Sequence, residues 1–459
     1  MVPTAAGDEP DGGPGPDALP TYRNPSLVVH DVPGTQGGQG SGSTLGGWMM
    51  PDVRRAHFRM PQFGHQNINM RATNVLELTA APDERIAALE KVAAATTHEC
   101  FCGMVVLRGS EIVFESYHED FDGDTAHSMQ SITKSTVNLI VGKLVEEGKL
   151  SLDARVKDII PECGSGYADA TLQNVMDMSV KNMFLEGYAD DYNDASVATG
   201  YSRQEIGLGW RLPPLGEERR IGMREFVAAI EAPKTEEAGT SGYKSPNNDL
   251  MAWVAEKVSG KSIAAHLQVR LDSIRSALPD SRCLFSLAST YHICMHRART
   301  HSPTSPNINT AVCTQDIVEA AGLEGSMHCA CDVDWVPILS GGGFMTTRDL
   351  ARYGQLFCRR GAGVDGSVVG SGAFLDETRN PPLSMQDVFE GGAVKVAGWY
   401  HNQMQSNGKY VGHGGFGGQW LAADEASGCS VSFYSVFNAN GGVDVNTQEM
   451  SEEIFQLFR

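Results

Sequence analysis

The sequence predicts a mixed α/β fold (α+β), with a mainly antiparallel sheet built from both ends of the chain and a largely helical region beside it. Three observations carry this. Gly103 to Leu107 and Ile112 to Tyr117 flank Arg108-Gly109-Ser110-Glu111, the pattern of two short strands joined by a tight turn. Gln419 to Ala423 and Ser430 to Val436 repeat that pattern around Glu425-Ala426-Ser427-Gly428. Between the two pairs, apolar residues recur with a helical period, as at Val137, Ile140, Val141, Leu144 and Val145. The sheet part is therefore expected at about 46–128 and 390–459, and the helical part at about 129–389. A cleft at their boundary would bring distant segments together and exclude water.

Taken in order, residues 1–45 are rich in Gly, Pro, Asp, Ser and Thr and hold few large apolar side chains. They cannot bury enough surface to offset the entropy of ordering and read as a disordered tail. Apolar content rises from Gly47 and Trp48. The helix through Val137 to Val145 ends at Gly148, which suits a helix C-terminus. Residues 269–315 break the chain's character: they contain no Gly, Glu or Lys but five Arg, seven Ser, three His and three Cys. Removing them joins Ala264-Ala265-His266-Leu267-Gln268 to Asp316-Ile317-Val318-Glu319-Ala320-Ala321-Gly322-Leu323, which then reads as one amphipathic helix. The segment is expected to be a translated, unremoved intron. The competing reading is a lid or surface insertion, since long insertions cost little loop entropy. Further on, Gly341-Gly342-Gly343-Phe344-Met345-Thr346-Thr347-Arg348-Asp349-Leu350 lacks the GK[ST] ending of a phosphate loop, and Thr346 or Thr347 is expected to cap the helix that follows. Val445 to Phe458 reads as a closing helix.

Composition excludes several functions. A chain of 459 residues with a formal net charge of −20 is a poor partner for nucleic acid or an anionic membrane, because phosphate binding needs clustered positive charge. No apolar run reaches membrane-spanning length. The N-terminus has neither a basic nor an apolar signal region, so a cytoplasmic location is expected. His98, Cys100 and Cys102, and His328, Cys329 and Cys331, form two His/C-x-C clusters that could close around zinc. C-x-C chelates less well than C-x-x-C, and free cysteine is commonly a small buried hydrophobe, so neither a metal nor another cofactor is expected.

The chemistry-bearing motif is Ser131-Ile132-Thr133-Lys134, an S-x-x-K tetrapeptide opening the first helical run. A helical i, i+3 step puts both side chains on one face, so the amine can take the hydroxyl proton if burial keeps it neutral. Such a tetrapeptide arises by accident in a chain this long. Its context is more specific. The stretch His127-Ser128-Met129-Gln130-Ser131-Ile132-Thr133-Lys134-Ser135 is followed by Gly242-Tyr243-Lys244-Ser245-Pro246-Asn247-Asn248-Asp249-Leu250 and by Gly412-His413-Gly414-Gly415-Phe416-Gly417-Gly418-Gln419-Trp420. In that order the three segments resemble the serine β-lactamase and penicillin-binding-protein superfamily, in particular its class C-like branch that includes esterases and 6-aminohexanoate-dimer (nylon-oligomer) hydrolases.

The resemblance implies a β-lactamase-like fold with the active site between the two parts. It also implies a serine hydrolase acting on a small ester or short amide, with a β-lactamase, a D-Ala-D-Ala peptidase, an acyltransferase or an inactive binding relative as alternatives. Ser131 is the expected nucleophile and Lys134 its base. Tyr243 is the expected second proton-transfer group, its phenol pKa lowered by the lysine ammonium. Ser245 stands where the family's Tyr-x-Asn element has Asn, as in the nylon-oligomer branch. The backbone N–H groups of Ser131 and Phe416 are the implied oxyanion hole. Gly414 and Gly415 suit a strand edge that a substrate backbone approaches closely. His413 occupies the place of the Lys in a Lys-Thr-Gly strand; neutral near pH 7, it would hold a substrate carboxylate weakly and bond to Tyr243 or substrate instead. Tyr192 best matches a mobile substrate-binding tyrosine of the nylon-oligomer branch. Asp190, Asp191 or Asp194 could receive a substrate amine.

Overall fold

The computed structural model describes residues 66–186, 200–207, 221–235, 239, 242–267, 317–381, 398–436 and 446–459. The tail at 1–45, Tyr192 with Asp190, Asp191 and Asp194, and the anomalous segment 269–315 lie outside the described residues.

Among the described residues twelve strands form two sheets: β1 (Gln66–Arg71), β2 (Thr79–Ala80), β3 (Phe101–Arg108), β4 (Glu111–Tyr117), β5 (Ala126–Ser128), β6 (Ser326–Cys331), β7 (Gly343–Thr346), β8 (Trp399–His401), β9 (Met404–Ser406), β10 (Val411–Gly415), β11 (Gln419–Asp424) and β12 (Cys429–Ser435). The larger sheet runs β2-β4-β3-β12-β11-β10-β9-β8. It is antiparallel except where β2 meets β4. Both expected hairpins are present, turning through Gly109 and Gly428 at positive φ, which glycine adopts without steric cost. Between the hairpins, β12 pairs with β3 from Cys429↔Arg108 to Ser435↔Phe101, so the two chain ends close into one sheet.

The helices used below are α1 (Glu90–Thr97), α2 (Ser135–Glu146), α3 (Leu172–Met176), α4 (Met223–Ala228), α5 (Ser245–Ser259), α6 (Ile263–Leu267), α7 (Ile317–Ala321), α8 (Thr347–Cys358), α9 (Gly372–Arg379) and α10 (Thr447–Gln456), with shorter helical turns between some of them. α8 packs on β3, β11 and β12, while α1 lies on β3 and α10 on β11. Thr346 caps α8 by accepting from Asp349 N at 3.1 Å, as its sequence suggests. Among the described residues no helix is long and apolar enough to cross a membrane.

Three features were not evident from the sequence pattern. First, the largely helical part carries two strands, β6 and β7, which join β1 and β5 in a second sheet ordered β1-β6-β7-β5. Ser-Met-His-Cys-Ala-Cys and Gly-Phe-Met-Thr lack the alternation that marks a half-exposed strand, since both are largely buried. Second, α2 buries more than its apolar stripe. Ser135, Thr136, Asn138 and Gly142 are buried as well, and the polar ones are satisfied: Ser135 Oγ lies 2.8 Å from Tyr353 Oη, and Asn138 Nδ2 donates to Asn402 O at 2.8 Å. The helix packs against α5 and α9, and its Ser135 reaches Tyr353 on α8. Third, α2 begins at Ser135, and Gln130–Lys134 form a 3₁₀ turn before it.

Candidate active site

The 3₁₀ turn changes how the motif works. In that geometry residues i and i+3 eclipse, so Lys134 stands over Ser131 more directly than on an α-helix. Lys134 Nζ is 3.0 Å from Ser131 Oγ, and the lysine has no exposed surface, whereas Ser131 is half-buried. Gln130, immediately before Ser131, takes φ 50°, a left-handed conformation that costs a non-glycine residue energy. The surroundings hold it there: Thr133 Oγ1 donates to Gln130 O at 2.7 Å and accepts from Gly343 N at 3.0 Å, and Met129 N donates to Gly343 O at 2.8 Å. Gly343 has no substitute at that contact. A Cβ there would stand 2.8 Å from both Met129 Sδ and Thr133 Oγ1.

The second motif arrives at the N-terminus of α5. Ser245 Oγ is 3.1 Å from Lys134 Nζ, and Ser340 O also accepts from that amine. Asp249, one turn into α5, holds the Ser340 peptide by accepting from Ser340 N at 3.1 Å. Burial raises the Asp249 carboxyl above the ordinary carboxylate range. Burial also pulls the Lys134 amine below its ordinary value of 10.5, and the charges of Glu186 and Asp249 recover only part of the loss. A depressed amine is the form a general base requires.

Tyr243 lies with its ring 5.0 Å from Lys134 Nζ and its phenol hydrogen-bonded to Ser131. Its pKa moves opposite to the sequence expectation. Burial and the Glu186 carboxylate raise the phenol well above 10.0, and the bond to Ser131 opposes them only partly. Tyr243 is thus a neutral hydroxyl, suited to giving a proton rather than to standing by as a phenolate. Its neighbour Asn247 faces away: Asn247 Oδ1 accepts from Tyr167 Oη at 2.7 Å and Nδ2 donates to Val175 O, so it ties α5 to α3. Asn248 Nδ2 donates to Lys134 O at 3.3 Å instead.

The third motif is the strand β10. A Cβ on Gly415 would lie 2.5 Å from Met129 O and 3.1 Å from Gln130 Cβ, so only glycine lets β10 press against the turn that carries Ser131. Phe416 follows directly and is half-buried beside that turn. Gly414 is different, because a Cβ there would meet nothing nearer than 3.8 Å. His413 is 1 % exposed. Its Nε2 lies 3.2 Å from Tyr400 Oη and its Nδ1 is bonded to Gly414 O, while its ring stands 6.5 Å from that of Tyr243. Burial and the Lys134 charge push its pKa down to about 3, so it is neutral, and its bond goes to Tyr400 rather than to Tyr243.

Ser131, Lys134, Tyr243, Ser245, His413, Gly414, Gly415 and Phe416 thus converge from three distant segments. Glu186 and Lys244, which sequence reasoning did not single out, join them. Glu186 accepts from both Ser245 N and Ser245 Oγ, the latter at 2.7 Å. Lys244 is buried and donates to Asn182 Oδ1 at 2.8 Å and to Phe184 O at 2.6 Å, which pins the Tyr243-Lys244-Ser245 segment to the strip of chain carrying Glu186. The buried Lys244 flanked by two motif residues was the available signal. The first His/C-x-C cluster leads into β3 and the second lies on β6, where Cys329 pairs with Gly343 behind the Ser131 turn. Cys100 and Cys102 stand at the start of β3, and Cys329 and Cys331 in β6, all buried. Among the described residues no group of three or more His, Cys, Asp or Glu side chains is placed to hold a metal ion.

Comparison with known proteins fits this geometry. A family model described as Beta-lactamase matches residues 101–451, from the start of β3 into α10. The 6-aminohexanoate-dimer hydrolase of Paenarthrobacter ureafaciens is 29% identical over 185 residues, which are 39% of this chain and 44% of that protein; the match spans less than half of the relative's length. A Bacillus anthracis structure described provisionally as a 6-aminohexanoate-dimer hydrolase superposes with a TM-score of 0.64 at 17% identity, covering 89% of this chain and 95% of that one. The second likeness is one of fold.

Proposed function

The chain belongs to the beta-lactamase family, and from that premise we propose that it is a serine hydrolase cleaving a small ester or short amide through an acyl-enzyme on Ser131. The observation that carries the proposal is the buried amine of Lys134 held 3.0 Å from Ser131 Oγ, with the Tyr243 phenol on the same oxygen. Neutral Lys134 takes the Ser131 proton as Oγ bonds to the substrate carbonyl carbon. The developing oxyanion turns to the N–H groups of Ser131 and Phe416, a reading supported by the close approach of Gly415, which directly precedes Phe416, to Met129 O beside the Ser131 turn. Tyr243 gives its proton to the leaving oxygen or nitrogen and regains one from the Lys134 ammonium. Water then attacks the ester on Ser131 by the same route, and Ser131 recovers its proton.

The substrate class rests on charge. His413 is neutral where a lysine would grip a carboxylate, which favours neutral esters or amides over carboxylate-bearing β-lactams. The name of the P. ureafaciens relative points to short amides among them. The test is intact-mass analysis after treatment with a fluorophosphonate and, separately, with a penicillin. The proposal expects one phosphonyl adduct on Ser131, lost in Ser131→Ala, and little or no penicilloyl adduct. Full labelling of Ser131→Ala defeats the nucleophile; efficient penicillin acylation and turnover defeats the substrate class.

A further inference from the structure

Glu186 is linked to Lys134 through Ser245. Ser245 Oγ donates to Glu186 Oε1 at 2.7 Å, since an ionised carboxylate only accepts, and Ser245 N donates to Glu186 Oε2. A hydroxyl has one proton. Committed to Glu186, Ser245 Oγ can only accept from Lys134 Nζ, 3.1 Å away. Ser340 O, the amine's other neighbour on that side, is also an acceptor only. A neutral amine has two N–H bonds and one lone pair, so both N–H bonds are taken and the lone pair is left for its third neighbour, Ser131 Oγ at 3.0 Å.

We propose that Glu186 is a positioning residue that, by holding the Ser245 hydroxyl proton, aims the lone pair of Lys134 at the Ser131 hydroxyl. This rests on the reading of Ser131 as nucleophile and Lys134 as its base. Without the carboxylate, Ser245 Oγ is free to turn its proton onto Lys134 Nζ and occupy the electron pair that should receive the Ser131 proton. The balance of the step is unchanged: the Oγ–H bond of Ser131 breaks, an N–H bond forms on Lys134, and the Oγ pair enters the new bond to carbonyl carbon.

The same carboxylate has a second, opposite influence. The ionisable groups facing Lys134 are Glu186, Asp249 on α5, Tyr243 and His413 on β10. Of these, Glu186 and Asp249 favour the ammonium. Removing the Glu186 charge therefore makes Lys134 easier to deprotonate while misdirecting its lone pair. A purely structural role predicts no such pairing of a slower rate with an acid limb moved downward.

Glu186→Gln keeps the shape, removes the charge and lets a carboxamide N–H donate to Ser245 Oγ. We expect kcat on a p-nitrophenyl ester to fall roughly tenfold or more, the scale of one hydrogen bond to a charged group, with KM within about twofold. The acid limb of kcat/KM should move to lower pH, and Glu186→Asp, which keeps the charge, should hold that limb near its wild-type place. In a double-mutant cycle, Glu186→Gln should add little to Ser245→Ala, because the effect passes through Ser245. An acid limb that stays in place in Glu186→Gln, or a full additive loss in the double variant, overturns the inference. Fluorophosphonate labelling run alongside separates the two failures. If labelling still requires Ser131, only the role of Glu186 has failed; if it survives Ser131→Ala, the underlying mechanism has failed.

Discussion

In the proposed mechanism Lys134 is the base because burial lowers the affinity of its amine for a proton, and this sets the sign of the pH dependence. The base form must be neutral, so activity is absent well below the Lys134 pKa and rises with pH through it, at lower pH than an ordinary amine value of 10.5 would give. Tyr243, raised above 10.0, and His413, down at about 3, add no inflection near neutrality. Tyr243→Phe removes a proton donor and should cut kcat by more than about a hundredfold while leaving the acid limb in place. A Tyr243→Phe enzyme with wild-type turnover makes the phenol structural. His413→Lys puts a like charge beside Lys134, which disfavours its ammonium, so the acid limb should move further down. The same new cation should narrow the gap in kcat/KM between short-chain esters and a cephalosporin; an unchanged gap and limb would show that position 413 does not face the reacting centre. At this scale much was legible. Ser131 and Lys134 are three residues apart, and Tyr243, Ser245 and His413 sit in recognisable segments. Glu186 was not, because one carboxylate in an acidic stretch carries no local mark, and its partner is chosen by where Lys244 pins the chain.

Among the elements, the 3₁₀ turn and β10 divide the work of holding the nucleophile. Thr133 and Gly343 fix the turn from one side, and Gly415 lets the strand close on the other. The two adjacent glycines should respond differently to a methyl group. Gly415→Ala meets backbone at Met129 O and should destabilise by about 1–3 kcal/mol, with a loss of kcat as Ser131 and Phe416 separate. Gly414→Ala makes only ordinary van der Waals contact, 3.8 Å from Trp420 and 3.9 Å from Gln405, so it should keep the thermal midpoint while raising KM if, as proposed, a substrate backbone approaches β10 there. Thermal unfolding and ester kinetics on both variants check this, and equal destabilisation of the pair would contradict it. Periodicity found α2 and the outer hairpins but gave no sign that the polar side of α2 is buried too, and it passed over β6 and β7. Fully buried elements lose the apolar–polar contrast on which periodicity depends, and the polar residues of α2 are paid for by partners more than a hundred residues away.

Across the whole molecule, two chain ends make one sheet, the middle supplies α2 and α5, and the site lies where Ser131, Ser245 and β10 meet. The architecture was legible from strand pairs at the ends and helices between them; the closure of β12 on β3 and the second sheet depend on contacts that no local pattern encodes. α6 and α7, the helices on either side of 268–316, touch one another in the fold. Joining residue 268 to 316 should therefore leave a folded enzyme with ester turnover at least equal to that of the full chain, as expected for a segment foreign to the fold; loss of folding in that variant would make the segment integral. The proposed mechanism places the acyl group on Ser131, where it can be trapped during turnover. Acid-quenched intact mass and peptide mapping during turnover of a slow p-nitrophenyl ester should show a single acyl adduct on Ser131, accumulating faster as pH rises through the Lys134 transition and absent from Ser131→Ala. Undiminished turnover by Ser131→Ala, or an acyl group mapped to any other residue, would contradict it.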